Sequence, residues 1–96
     1  MKTIHKYNLI PTEKQIVLLP RFHKIIHAGF DCAGNLCLWA EVYTDNVMEP
    51  QDIFILGTGH EMPKFSNLKT HLGTVVDSQF VRHIYIDYGE ERRGDE

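Results

Sequence analysis

Four consecutive residues, Gly57-Thr58-Gly59-His60, put two bare backbone units, a hydroxyl and an imidazole into one short segment. Glycine admits conformations and close approaches that a β-carbon blocks, and successive N–H groups in such a turn make a concave seat for an anion. Thr58 and His60 add side-chain donors. That is the chemistry of a phosphate or pyrophosphate loop. The same segment also ends a β-strand well, since it follows the apolar run Ile53-Phe54-Ile55-Leu56 and comes just before Pro63. The helix that follows the glycine loop of a dinucleotide-binding fold is missing from the pattern. A ligand loop and a strand-ending turn capped by Thr58 both remain open.

Other residues suited to the same chemistry are spread along the chain. Trp39, the single tryptophan, offers an indole that stacks on a nucleobase or fills a core or subunit interface. Lys64 and Lys69 flank the long stretch after His60, which also holds Phe65, while Lys24 and Arg82 are the other body cations placed to meet an anion. Each of these charges also reads as an ordinary solvated side chain. The six histidines, His5, His23, His27, His60, His71 and His83, show no HxH or HExxH spacing, so each is expected at the surface or half-buried on a strand. His60 or His71 beside an aspartate is the alternative of a general base in a small hydrolase. Cys32 and Cys37 are five apart across an expected turn. Two buried free thiols are expected there, with a hairpin disulfide or a Cys2His2 zinc site as alternatives. No cofactor is expected.

Composition bounds the rest. The chain has 96 residues, enough for one small domain. Its hydrophobic fraction of 43% suits a folded globule. A domain of this size has a modest core, so self-association into a homo-oligomer is expected to help it. The net charge is -3, of which the tail from Glu90 to Glu96 carries -2, leaving a nearly neutral body. Such a body argues against duplex nucleic acid as a partner. No apolar stretch has the length of a membrane helix, and the segment from Met1 to Lys6 has no apolar signal core, so an intracellular protein with no membrane contact is expected.

The elements that must position these groups read as strands. Apolar and polar residues alternate over Thr3 to Leu9, Gln15 to Leu19, Lys24 to Cys32, Leu36 to Tyr43, Asp52 to Thr58, His71 to Asp77 and Phe80 to Tyr88. In the third of these, alternation aligns Ile26, Ala28 and Phe30 against Ile25, His27 and Gly29. In the fourth it aligns Leu36, Leu38, Ala40 and Val42 against Cys37, Trp39, Glu41 and Tyr43. Ala33-Gly34-Asn35 is a hairpin turn, and Asp77-Ser78-Gln79 a tight connection. Thr44 to Gln51 reads as a polar loop, and Phe65 to Leu68 has room for a single helical turn. The whole predicts an all-β antiparallel meander of about seven strands, a sandwich or partly closed barrel, over residues 1–89, followed by a disordered charged tail over 90–96.

The order of several strings resembles a known family. Lys2-Thr3-Ile4-His5-Lys6-Tyr7 is followed by Ile16-Val17-Leu18-Leu19-Pro20 and Lys24-Ile25-Ile26-His27. Leu36-Cys37-Leu38-Trp39-Ala40-Glu41-Val42, Gly57-Thr58-Gly59-His60 and Leu72-Gly73-Thr74-Val75 come after. From about Lys2 to His83 the chain is similar to a family of small bacteriophage-encoded proteins carrying a domain of unknown function. The resemblance implies a compact accessory protein of the host cell cytoplasm, and by analogy of size and context an anti-defence factor. The expected function is to bind and sequester a nucleotide-derived immune signal, such as a cyclic dinucleotide or an ADP-ribose derivative, without cleaving it. The expected contacts are Gly57, Thr58, Gly59, His60, Trp39, Phe65, Lys69 and Arg82. A protein-binding inhibitor of a host defence enzyme and a small phosphoesterase are the alternatives.

Overall fold

The computed structural model describes residues 1–62, 69–78 and 80–87. Over that range the chain forms seven strands: β1 (Lys2–Asn8), β2 (Lys14–Pro20), β3 (Lys24–Phe30), β4 (Leu36–Tyr43), β5 (Met48–Gly57), β6 (Lys69–Asp77) and β7 (Phe80–Asp87). Every pairing is antiparallel. The order β1-β4-β3 makes a three-stranded sheet and β2-β5-β7-β6 a four-stranded one. The sheets are not closed into a barrel, so the expected all-β fold takes its sandwich form. The path refines the meander: the chain changes sheet after β1, β2 and β4. Only β3–β4 and β6–β7 are hairpins of consecutive strands. No helix among the described residues is long and apolar enough to cross a membrane.

Alternation builds the core. Leu36, Leu38, Ala40 and Val42 of β4 face inward and share one buried cluster with Ile53 and Ile55 of β5 and with Ile84 and Ile86 of β7. Two bulges then break the simple rhythm. On β3 the register slips between Ile25 and His27. Ile25 and Ala28 are both buried as a result, while Ile26 is exposed, so the expected alignment of Ile26 with Ala28 on one face is broken. An extra residue on one strand flips the facing of everything beyond it. On β6 a slip between His71 and Gly73 leaves Leu72 partly buried against the core.

The expected polar loop from Thr44 to Gln51 is shorter than its composition suggests, because β5 begins at Met48 and pairs with β2 from there. Pro50 is tolerated because, among the described residues, β7 pairs with β5 only from Asp52 on and β2 is the neighbour at Pro50. Gln51 is buried and spans two strands, its Nε2 donating to the Asp87 carbonyl at 2.7 Å. Its Oε1 lies 2.7 Å from Nε2 of His23, whose Nδ1 lies 2.9 Å from the Pro20 carbonyl. His23 is therefore a buried bracing residue between the β2–β3 turn and β5, and not the surface or half-buried side chain that its spacing predicts.

The β3–β4 turn closes on one carboxylate. Asp31 Oδ1 accepts the N–H groups of Ala33 and Asn35 at 2.9 and 2.8 Å, and Oδ2 accepts from the Lys6 ammonium at 2.9 Å. Lys6, together with the turn N–H groups, holds the Asp31 carboxyl well below the usual carboxylate range. Gly34 takes φ 85° there, as the hairpin reading requires. Cys37 lies behind this turn, its Sγ 3.2 Å from Asn8 Oδ1 and 3.6 Å from Asp31 Oδ2. Burial pushes its thiol up, and the adjacent carboxylate adds to the effect. Neither cysteine is in a disulfide, and Cys32 is exposed rather than buried. The helical turn expected from Phe65 to Leu68 and the tail over 90–96 lie outside the described residues.

Candidate functional site

β5 runs apolar through Leu56 and stops at Gly57, where the chain folds back on itself. The His60 N–H donates to the Gly57 carbonyl at 3.1 Å, and the Gly57 N–H donates to His60 Nδ1 at 3.2 Å. Nδ1 is thus the ring's accepting nitrogen, which leaves Nε2 as its donor, and the ring lies over Gly57. A β-carbon on Gly57 would come within 2.9 Å of that ring, so the missing side chain makes room for the imidazole. Gly59 takes φ 90° at the apex. The Thr58 N–H donates to the Val81 carbonyl at 3.4 Å. Three of the four N–H groups are therefore spent inside the structure. Of the four, that of Gly59 has no partner among the described residues, so this turn leaves one backbone N–H for an anion rather than a row of them.

The turn instead walls a cleft of about 510 Å³ at one end of the four-stranded sheet. Thr58, His60 and Arg82 stand on one side, with Phe80 beside them; Thr12 and Glu13 line the other. That second side is held in place by the sequence just before β2. The Ile55 N–H donates to the Glu13 carbonyl at 2.9 Å, and Gln15 brackets Ile10 by accepting its N–H at 3.0 Å and donating to its carbonyl at 2.6 Å. Arg82 lies 5.1 Å over the Phe80 ring and 3.8 Å from Asp77, and about a quarter of its side chain is exposed. Among the described residues the cleft is therefore lined by one lysine or arginine, Arg82, and one acidic residue, Glu13. It suits a ligand of low charge better than a polyanion.

A hydrogen-bonded chain crosses the sheet behind Thr58. Its Oγ1 lies 2.8 Å from His83 Nε2, and His83 Nδ1 lies 2.9 Å from Thr74 Oγ1. Thr74 Oγ1 is in turn 3.2 Å from His71 Nε2, and the His71 ring leans on Tyr85 at 5.1 Å. The β6 bulge puts His71 on the same face as Thr74. The roles of His83 and Thr74 were missed by sequence reasoning. Hairpin counting finds them: outward from the Asp77↔Phe80 pair, Thr74 falls opposite His83.

Of the predicted contacts, the structure brings together Gly57, Thr58, His60 and Arg82, with Gly59 at the turn apex. Trp39 is elsewhere. It lies on the outward face of β4 in the other sheet, half-buried, with its ring 5.5 Å from that of His27, and does not line the cleft. Among the described residues Phe80 is the aromatic side chain that lines the cleft. Lys69 opens β6 opposite Asp87, at the end of the hairpin away from Arg82. Phe65 and Lys64 lie outside the described residues. Among the described residues no three His, Cys, Asp or Glu side chains converge as a metal site would require.

Fold and site together define a small two-layer antiparallel β-sandwich with an open polar cleft at one end of its larger sheet. The chain belongs to the family of the domain of unknown function DUF7352, whose sequence model matches residues 1–95. No curated protein and no solved structure matches it.

Proposed function

We propose that this chain is a binding protein that captures a small nucleotide-derived ligand in the cleft between Thr12–Glu13 and His60–Arg82, and does no chemistry on it. The observation that carries this reading is the partly exposed Arg82 guanidinium, placed in a preformed cleft beside an aromatic ring and the imidazole of His60. Arginine is suited to a phosphate through its fork of donors, and phenylalanine to a base through its face. The resemblance to bacteriophage proteins supports the sharper form of the proposal, sequestration of an immune signal inside the host cell by an oligomer of this chain.

Equilibrium dialysis against a nucleotide panel tests it, followed by heat release and mass spectrometry of whatever was retained. Intact ligand at close to one per cleft is expected, and Arg82→Gln should weaken capture about 10- to 100-fold, the usual worth of a charged hydrogen bond. Retention unaffected by Arg82→Gln, or no retention at all, overturns the reading.

One observation favours an enzyme as the second reading. Thr58, His83 and Thr74 stand in the relation of nucleophile, base and orienting group. Capture is preferred because both ring nitrogens of His83 are taken by threonine hydroxyls rather than by a carboxylate that would strengthen it as a base. Product that accumulates over many turnovers, and that Thr58→Val abolishes, would establish the enzyme. Exposed Ile16, Leu18 and Met48 around β2 keep a protein-binding role as an outcome of the same dialysis when no nucleotide is retained.

A further inference from the structure

We propose that the ligand is bipartite: two planar ring systems joined through a single phosphodiester, one ring in each of two clefts that meet at Arg82. This rests on the cleft reading above and narrows it to a ligand class. The second cleft, about 490 Å³, is lined by Leu9, Phe30, Gly34 and Asn35, and it shares Pro11 and Arg82 with the first. Each cleft alone has the volume of a small-molecule site. Pro11 and Arg82 are their common lining.

The two clefts repeat one recognition pattern. Each carries one exposed phenyl ring, Phe80 in the first and Phe30 in the second, at 56% and 38% exposure. Exposed phenylalanine has no polar group to keep it in water, and its face stacks on any nucleobase. Each cleft also carries polar side chains for a ring edge. Glu13 and the His60 Nε2 serve the first. The Asn35 amide serves the second, its side chain having no partner among the described residues while its N–H and carbonyl are held by the turn.

Charge selects the linker. Among the described residues Arg82 is the one cation lining both clefts, with Glu13 lining the first and Asp77 the second. Asp77 is a loose partner, 3.8 Å away and more than half exposed, so the guanidinium can turn to an incoming phosphate. A single diester charge matches that one cation. A pyrophosphate or a ring with two phosphates brings a second charge against the carboxylates.

The test is isothermal titration of the full chain with the sixteen linear 3′,5′-dinucleoside monophosphates, the four mononucleotides and inorganic pyrophosphate. At least one dinucleotide should bind about tenfold or more tighter than either of its mononucleotides, the lower range for adding one stacked base. Phe30→Ala should remove that excess and leave mononucleotide binding within about twofold, because Phe30 belongs to the second cleft only. Amide NMR should show the Gly34 and Asn35 signals moving with the dinucleotide and not with the mononucleotide. If mononucleotides bind in an Arg82-dependent way and no dinucleotide gains on them, the bipartite ligand is overturned while single-cleft capture stands. The same holds if pyrophosphate competes with the best dinucleotide at equal affinity. If no probe binds, or Arg82→Gln changes nothing, both readings fall.

Discussion

The turns at Asp31–Asn35 and Gly57–His60 look alike on paper and behave differently in space. Each contains one glycine at positive φ, 85° at Gly34 and 90° at Gly59, and neither glycine has anything within 4 Å of where a β-carbon would stand. The first turn is tied by a carboxylate that takes two turn N–H groups and a lysine from a neighbouring strand. The second is tied by a neutral-type contact at 3.2 Å, an imidazole nitrogen folded back over Gly57. Charge-assisted bonds are roughly twice as strong as neutral ones. One turn is therefore a structural clasp at the edge of the second cleft, while the other holds its shape lightly and lines the first cleft with Thr58 and His60. What distinguishes them is which side chain satisfies the backbone, not the glycines.

The largest effect that would break this contrast is at the clasp. Asp31→Ala removes the acceptor for Ala33, Asn35 and Lys6 together, and it should give the largest fall in Tm of these variants by thermal denaturation, with Asp31→Asn recovering part of it. A fall no larger than that of Gly59→Ala would mean that the two turns are equivalent.

Acid sharpens the comparison next. Because the folded carboxyl of Asp31 sits below its unfolded value, its contribution is fully present above the ordinary carboxylate pKa of about 3.9 and is lost as pH falls through the folded value. Denaturation midpoints should therefore drop below about pH 4 in the parent chain, and more gently in Asp31→Asn.

At the glycines, Gly34→Ala and Gly59→Ala should each cost about 1–2 kcal/mol, since both pay for positive φ alone with no clash. Mononucleotide capture should weaken only for Gly59→Ala, because Gly34 lines the second cleft and not the first. The smallest effect is expected at Gly57→Ala. The new methyl group would displace the His60 ring and lose one neutral hydrogen bond, costing under about 1.5 kcal/mol, while the nitrogen shifts of His60 change in NMR. Unchanged His60 shifts would show that the ring does not rest on Gly57.

The fold was legible because its signals are local. The run Leu36 to Val42 alternates with every second residue apolar, and those residues are the ones that reach the core. The Met48–Gln51 segment was not legible. Its residues look like loop composition, and what makes them strand is β2 lying alongside, with Gln51 satisfied by Asp87 and His23. The site was half legible. Gly57, Thr58 and His60 are adjacent in sequence, and Arg82 was found as a cation, but the facing wall of Thr12 and Glu13 sits more than forty residues from the turn that it opposes.

The sequence by itself determined the seven strands, the two positive-φ glycine turns and the all-β antiparallel class, because alternation and turn chemistry act over a few residues. Only the tertiary structure decided which sheet each strand joins. It put Trp39 on the outward face of the smaller sheet and Phe80 beside the cleft. It also decided the bulges that bury Ile25 instead of Ile26 and bring His71 to Thr74. A strand's pairing partner and its bulges depend on which distant residues compete to cover the same core, and no window of local sequence contains that competition.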